Sequence, residues 1–284
     1  MLGIKRRKRN IQIGVAREIH NFSVGIHRSL LFGRGGDFYG VRDWQPGDRH
    51  LSIPATIRTS KPMFKVFEEP KSLKVWLLID NSPSMNFGSE QKKIDIACAL
   101  CLLFGFSVDS VGDRLSVSVF GSDQPFFTEL GLGNDNALTA IDFALSKKHK
   151  DGYHTVSISD SLSLITAREP TNSLVIIISD FCFNLPLSAK NHIGHIGSLR
   201  NTVLLSIIIG DRQEDDLPKA PLMANVFDSE TKKYFPIDLR SAHYEKSSLD
   251  EELRSLNSYV ARVDASDKCF KQLVKFFSSL LLCK

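Results

Sequence analysis

The stretch Leu73-Lys-Val-Trp-Leu-Leu-Ile-Asp80-Asn81-Ser82-Pro83-Ser84-Met85 decides how the rest of the chain is read. Val75 to Ile79 is a short apolar run with the β-branched and aromatic content of a strand buried on both faces. It breaks at once into Asp80, Asn81, Ser82, Pro83 and Ser84, turn formers with oxygen-bearing side chains. The pattern predicts a strand whose carboxyl end presents Asp80, Ser82 and Ser84 at alternate positions. Ligands of open parallel sheets collect beyond the carboxyl ends of the strands. One carboxylate and two hydroxyls placed there suit a hard cation. Magnesium takes oxygen ligands in near-octahedral geometry, keeps several waters, and would leave a place for an outside group. The simpler alternative is that Asp80 and Ser82 cap a helix starting near Gln91, or pin the turn by side-chain to backbone bonds.

Outward from this stretch, apolar strand candidates alternate with helical patterns. Leu115 to Phe120, Leu174 to Ser179 and Val203 to Ile209 read as strands. Gln91 to Phe106, Asn136 to Ser146, Ser157 to Thr166 and Ala189 to Asn201 read as the helices between them. Strands alternating with helices of this length predict an α/β fold with a doubly wound, mostly parallel sheet. Met223 to Asp228 and Tyr234 to Asp238 read as a hairpin. Leu249 to Leu256 is expected to be a helix, Tyr259 to Val263 a late strand, and Phe270 to Leu282 a closing amphipathic helix.

The chain divides by composition into a basic, glycine- and aromatic-rich segment, 1–70, and the α/β domain, 71–284. The first segment holds 13 Lys or Arg against 6 Asp or Glu, net +7, so the remainder is net −3 within an overall +4. A short amphipathic helix is expected over residues 10 to 20. A tight turn is expected at Pro46-Gly47-Asp48, between Arg42-Asp43-Trp44 and Leu51 to Arg58, with a strand over Pro62 to Glu68. The segment thus reads as a β-rich lead-in. Its glycines match neither the dinucleotide fingerprint nor a phosphate loop.

With 42% hydrophobic and 24% charged residues, the composition is that of a folded globular chain. Five cysteines without a disulfide framework point to a reducing compartment. Cys98 and Cys101, within the apolar run Ala97 to Phe106, read as core residues rather than a metal pair. No transmembrane segment and no signal peptide are read from the sequence, which places the protein in the cytoplasm.

If Asp80 ends one strand, neighbouring strand ends of the same sheet should add to the site. Leu174 to Ser179 ends in Asp180-Phe181, a second carboxylate in the same topological position. Gly152-Tyr153-His154-Thr155, just before a helix, offers the Thr155 hydroxyl. This constellation resembles the von Willebrand factor type A domain and its metal-ion-dependent adhesion site (MIDAS). Asp80, Ser82 and Ser84 match its Asp-x-Ser-x-Ser. Thr155, with Ser157 as competitor, stands for its loop threonine, and Asp180 for its later aspartate.

Further elements are similar to the bacterial family catalogued as domain of unknown function 58. They are Gly33-Arg-Gly-Gly-Asp-Phe38, Arg42-Asp-Trp-Gln-Pro-Gly-Asp48, Ala55-Thr-Ile-Arg-Thr59, Lys65-Val-Phe-Glu-Glu69, Met85-Asn-Phe-Gly88 and Ser179-Asp-Phe181. Where that family tends to read Ile-Asp-Trp, this chain has Leu51-Ser52-Ile53. The resemblance implies a cytoplasmic protein-protein interaction module holding Mg2+ or Mn2+ at Asp80, Ser82, Ser84, Thr155 and Asp180. It also implies a partner of the MoxR kind among AAA+ ATPases, working in chaperone-like assembly.

Other functions are weighed against this one. A magnesium-dependent phosphotransferase or hydrolase using Asp80 as nucleophile would want a carboxylate two residues on, where Ser82 stands. No Gly-x-Ser-x-Gly elbow supports a serine hydrolase, and His192 with His195 lacks a third ligand. Nucleic acid is disfavoured as a partner. Arg28, Arg34, Arg42, Arg49 and Arg58 could line a patch, but Phe38, Tyr39 and Trp44 read better as a small core docking the lead-in on the sheet.

Overall fold

The computed structural model describes residues 38–45, 52–67, 72–146, 156–211, 223–227, 234–238, 246–266 and 268–282. In the first part, β1 (Phe38–Asp43) and β2 (Met63–Phe67) pair antiparallel, with α1 (Ile53–Thr59) between them. The helix is where the lead-in departs from a β-rich reading. Pro54, with its φ already fixed and no N–H to lose, sits in the first turn and starts a helix through Ala55 and Thr56. Trp44 is 40% exposed rather than a core residue, and Arg42 stacks its guanidinium over Phe64 at 4.6 Å. The expected helix over 10–20 and the turn at Pro46-Gly47-Asp48 lie outside the described residues.

The rest is built on a six-stranded sheet. Its elements in chain order are β3 (Lys74–Asp80), α2 (Lys93–Val111), β4 (Arg114–Phe120), β5 (Phe126–Phe127), α3 (Gly133–Ser146), α4 (Ile158–Thr166), β6 (Ser173–Ser179), α5 (Leu187–Ser198), β7 (Val203–Gly210), β8 (Met223–Phe227), β9 (Tyr234–Asp238), α6 (Lys246–Ser255), β10 (Ser258–Asp264) and α7 (Cys269–Leu282). Spatial order is β10-β7-β6-β3-β4-β5, parallel except for the short β5; β8 and β9 form a separate antiparallel pair. The sheet is doubly wound and mostly parallel, with helices on both faces, as the sequence predicts.

Alternation along the strands sorts the core into two layers. Val75, Leu77 and Ile79 of β3 pack beneath α2, α3 and α7, while Trp76 and Leu78 face α4, α5 and α6. Leu77, Leu78 and Ile79 are fully buried. Each such side chain contributes about 1.5–3 kcal/mol of hydrophobic stabilisation. Truncating Leu78 to Ala at the centre of this sheet would cost about 2–5 kcal/mol.

Helix α2, at 19 residues, is long and apolar enough to cross a membrane, longer than the apolar run read from the sequence. Most of it is buried in the core, however, with Cys98 and Cys101 both inside; burial pushes the Cys101 thiol well above its usual range. It is a core helix ended by Gly112 in the left-handed conformation.

The winding places the site. From β3 the chain crosses to β4 on one side, and from β6 it crosses to β7 on the other. Loops leaving the adjacent ends of β3 and β6 therefore diverge, and the crevice between them is the topological switch point of the sheet.

Candidate metal centre

Asp80 is the last residue of β3 and is completely buried. Its Oδ1 accepts the Ser82 N–H at 2.8 Å, closing a local turn. Its Oδ2 accepts the Ser179 hydroxyl at 2.5 Å, from the end of β6. The Asn81 N–H donates to the Phe120 carbonyl at 2.9 Å, so the loop is tied to the end of β4 as well. Pro83 then opens a single 3-10 turn, Pro83–Asn86, which brings Ser84 back beside Ser82. The two hydroxyl oxygens are 3.0 Å apart and nearly buried.

Neighbouring ligands of an octahedral magnesium, each at 2.0–2.1 Å, stand about 2.9 Å from one another. The Ser82 and Ser84 hydroxyls are hydrogen-bonded to each other in this structure, and their separation also matches such an octahedral edge. The donor set is all oxygen, as a hard cation requires.

A glycine makes the arrangement possible. Gly121, just past β4, has φ +74, and a Cβ there would lie 2.6 Å from Ser82 N and 2.9 Å from Asp80 Oδ1. Only a residue without a side chain lets this backbone pass so close to the carboxylate. Gly121 N donates to the Val156 carbonyl at 2.8 Å, drawing in the segment that leads to α4. A cavity of about 340 Å³ opens beside the carboxylate, lined by Asp80, Ser82 and Gly121 and by the apolar side chains of Pro83, Phe120, Val156, Ile158, Phe183 and Pro186.

Asp180 follows Ser179 at the end of β6 and is also buried, but its oxygens are engaged. Oδ1 accepts the Cys182 N–H at 3.1 Å, and Oδ2 accepts from the Lys93 ammonium at 3.0 Å. Lys93 is itself fully buried in the first turn of α2. A cation at a helix N-terminus opposes the helix dipole, so Asp180 compensates both that and the loss of water. The intervening Phe181 adopts φ 50, and its N–H donates to the Ser179 hydroxyl at 2.9 Å.

Burial, reinforced by the nearby Asp180 charge, raises the Asp80 carboxyl from 3.8 to about 7, against the opposing pull of the hydrogen bonds from Ser179 and Ser82. The pocket thus carries more negative charge than its surroundings stabilise. A cation beside Asp80 would supply what is lacking, and the residues at 80, 82 and 84 fit one.

Thr155 lies outside the described residues. Ser157 is the N-cap of α4: its hydroxyl donates to Asp160 Oδ2 at 2.9 Å and accepts the Asp160 N–H at 3.2 Å. Its competing claim to the loop-ligand role is weakened by these bonds, although it borders the cavity. His192 Nδ1 is 3.2 Å from the Thr166 hydroxyl. Among the described residues no three His, Cys, Asp or Glu side chains stand together as a metal cluster; the serine oxygens of this site are outside that class.

Sequence reasoning missed Gly121 and Lys93. Lys93 opens a helix that is apolar and buried nearly all round, so no amphipathic face in the sequence separates it from the exposed Lys92.

Comparison with known proteins gives relatives of low identity. The uncharacterized protein Rv1480 of Mycobacterium tuberculosis and Mb1516 of Mycobacterium bovis are each 23% identical over 176 residues, 61% of this chain and 56% of theirs. The match spans little more than half the length of these curated relatives. Among solved structures, BatB from Bacteroides thetaiotaomicron aligns at 17% identity over 74% of this chain and 98% of its own, with a TM-score of 0.47. The SpRpn10 VWA domain aligns at 12% over 72% and 94%, with a TM-score of 0.43. Manganese-loaded TRAP protein of Plasmodium vivax aligns at 13% over 74% and 73%, with a TM-score of 0.39. The family described as "Protein of unknown function DUF58" matches residues 40–252, three quarters of the sequence, and the chain belongs to that family.

Proposed function

We propose that this protein is a cation-dependent protein-protein interaction module. Asp80, Ser82 and Ser84 hold Mg2+ or Mn2+, Thr155 adds a further hydroxyl, and Asp180 acts on the ion through water rather than by direct contact. The observation that carries the reading is the 3.0 Å Ser82–Ser84 edge beside the buried Asp80 carboxylate, at a switch point open to a cavity.

When bound, the cation supplies an under-neutralised positive charge with a vacancy for an external Asp or Glu carboxylate. The protein's own part is to exclude water, fix the hydroxyl pair, and surround the incoming carboxylate with apolar walls from Phe120, Ile158 and Phe183. The family resemblance supplies the rest of the proposal: a cytoplasmic partner of the MoxR kind among AAA+ ATPases, acting in chaperone-like assembly.

The test is capture of a purified candidate ATPase on immobilised protein, wild type and Asp80→Ala in parallel, each with magnesium or with chelator. Retention by wild type in magnesium alone is expected. Retention that survives both the chelator and the substitution would contradict the proposal.

A further inference from the structure

Among the described residues, the Asp80 and Asp180 carboxylates and the Lys93 ammonium gather at the adjacent ends of β3 and β6 and the start of α2. The buried Asp211 carboxylate, past the end of β7, accepts instead from Ser89 N and Oγ. Lys93 and Asp180 are 3.0 Å apart with side-chain exposures of 0% and 1%, so neither can exchange its partner for water. Asp80 instead makes its two hydrogen bonds to neutral groups, the Ser82 N–H and the Ser179 hydroxyl. Backbone fixes each end: Lys93 N donates to the Phe87 carbonyl at 2.9 Å, and Cys182 N donates to Asp180 Oδ1.

We propose that Lys93 is a built-in counter-cation that withdraws Asp180 from the ligand set and keeps the divalent site at a single carboxylate. This rests on the cation reading given above. The formal charge of the three groups is −1. A divalent ion raises it to +1, which one partner carboxylate returns to zero. Without Lys93, two carboxylates would neutralise the ion internally, and it would bind tightly without attracting anything further. The lysine thus trades resting affinity for a site completed by the partner, and ion and partner carboxylate favour one another's binding reciprocally.

The experiment is titration of the full chain with Mn2+, followed by the loss of free-ion signal in electron paramagnetic resonance, with circular dichroism as the check on folding. Variants are Lys93→Met, Asp180→Asn, the double change Lys93→Met with Asp180→Asn, and Asp80→Asn. A unit charge in the same buried cluster is expected to move a divalent affinity at least about tenfold. Lys93→Met should therefore bind Mn2+ at least about tenfold more tightly than wild type. Asp180→Asn, which leaves the ammonium uncompensated, should bind at least about tenfold more weakly. The double variant, with the wild-type total charge and no unpaired ion, should fold even if Lys93→Met does not, and should return to near the wild-type affinity.

A double variant as weak as Asp180→Asn would make Asp180 a direct ligand and overturn the inference. So would a folded Lys93→Met with unchanged affinity. In either case wild-type binding that is lost in Asp80→Asn still upholds the cation site, whereas no binding by wild type or by Lys93→Met overturns both.

Discussion

Ser179 donates its hydroxyl to Asp80 Oδ2 at 2.5 Å, joining the adjacent ends of β6 and β3 at the point where the sheet changes its direction of winding. The same oxygen accepts the Phe181 N–H, so one serine holds both the Asp80 carboxylate and the strained turn that follows it. Ser179→Ala should lower stability by about 1.5–3 kcal/mol, the range for a hydrogen bond to a charged group, as measured by urea unfolding. It should also move the Asp80 titration upward, because a bond that favours the ionised form is lost.

Metal-free protein should lose stability as pH rises. The Asp80 carboxyl titrates near 3.8 when unfolded and near 7 when folded, because burial and Asp180 disfavour its charge. Between those values the folded state holds the extra proton. The contribution is therefore complete below about pH 4 and is lost as pH rises through about 7. Thermal melts across this window with chelator should show the decline, Asp80→Asn should flatten it, and saturating Mg2+ should oppose it.

Gly121→Ala should be far more damaging than Gly112→Ala. Both residues have positive φ, +74 and +80, so both replacements carry the left-handed penalty of about 1–2 kcal/mol. At Gly112 an added Cβ meets nothing within 4 Å, whereas at Gly121 it strikes Ser82 N and Asp80 Oδ1. Differential scanning calorimetry should separate the pair, and only the Gly121 variant should also lose cation binding.

Two adjacent lysines should differ sharply. Lys92→Ala, on an exposed residue, should change stability by no more than about 0.5 kcal/mol. Lys93→Ala leaves the buried Asp180 carboxylate without its ammonium and should cost about 3–5 kcal/mol. Guanidinium unfolding of the two variants makes the comparison.

The sheet was legible because buried parallel strands such as Val75 to Ile79 and Leu174 to Ser179 are continuous apolar runs with abrupt polar ends. The same break named Asp80, Ser82 and Ser84. What shapes the site was harder to see. Gly121 matters for a side chain it lacks, and its reason lies in a loop 40 residues away in sequence. Lys93 was hidden beside its exposed neighbour Lys92, since charge says surface for both and a helix apolar nearly all round offers no face that tells them apart. In the lead-in, Ile53 to Thr59 is helical although none of its residues is buried, so no amphipathic pattern announced it; Pro54 was the one local signal. Ser157-Ile-Ser-Asp160 carried a readable capping box, which assigns its serine to a helix end.

The most direct measurement is Mn2+ binding by the full chain at neutral pH, compared between wild type and the Ser82→Ala, Ser84→Ala double variant, which removes the octahedral edge and leaves Asp80 in place. About one ion per chain in wild type and at least about tenfold weaker binding in the variant is the predicted result. Equal binding by the two proteins, or none by wild type, would contradict the account.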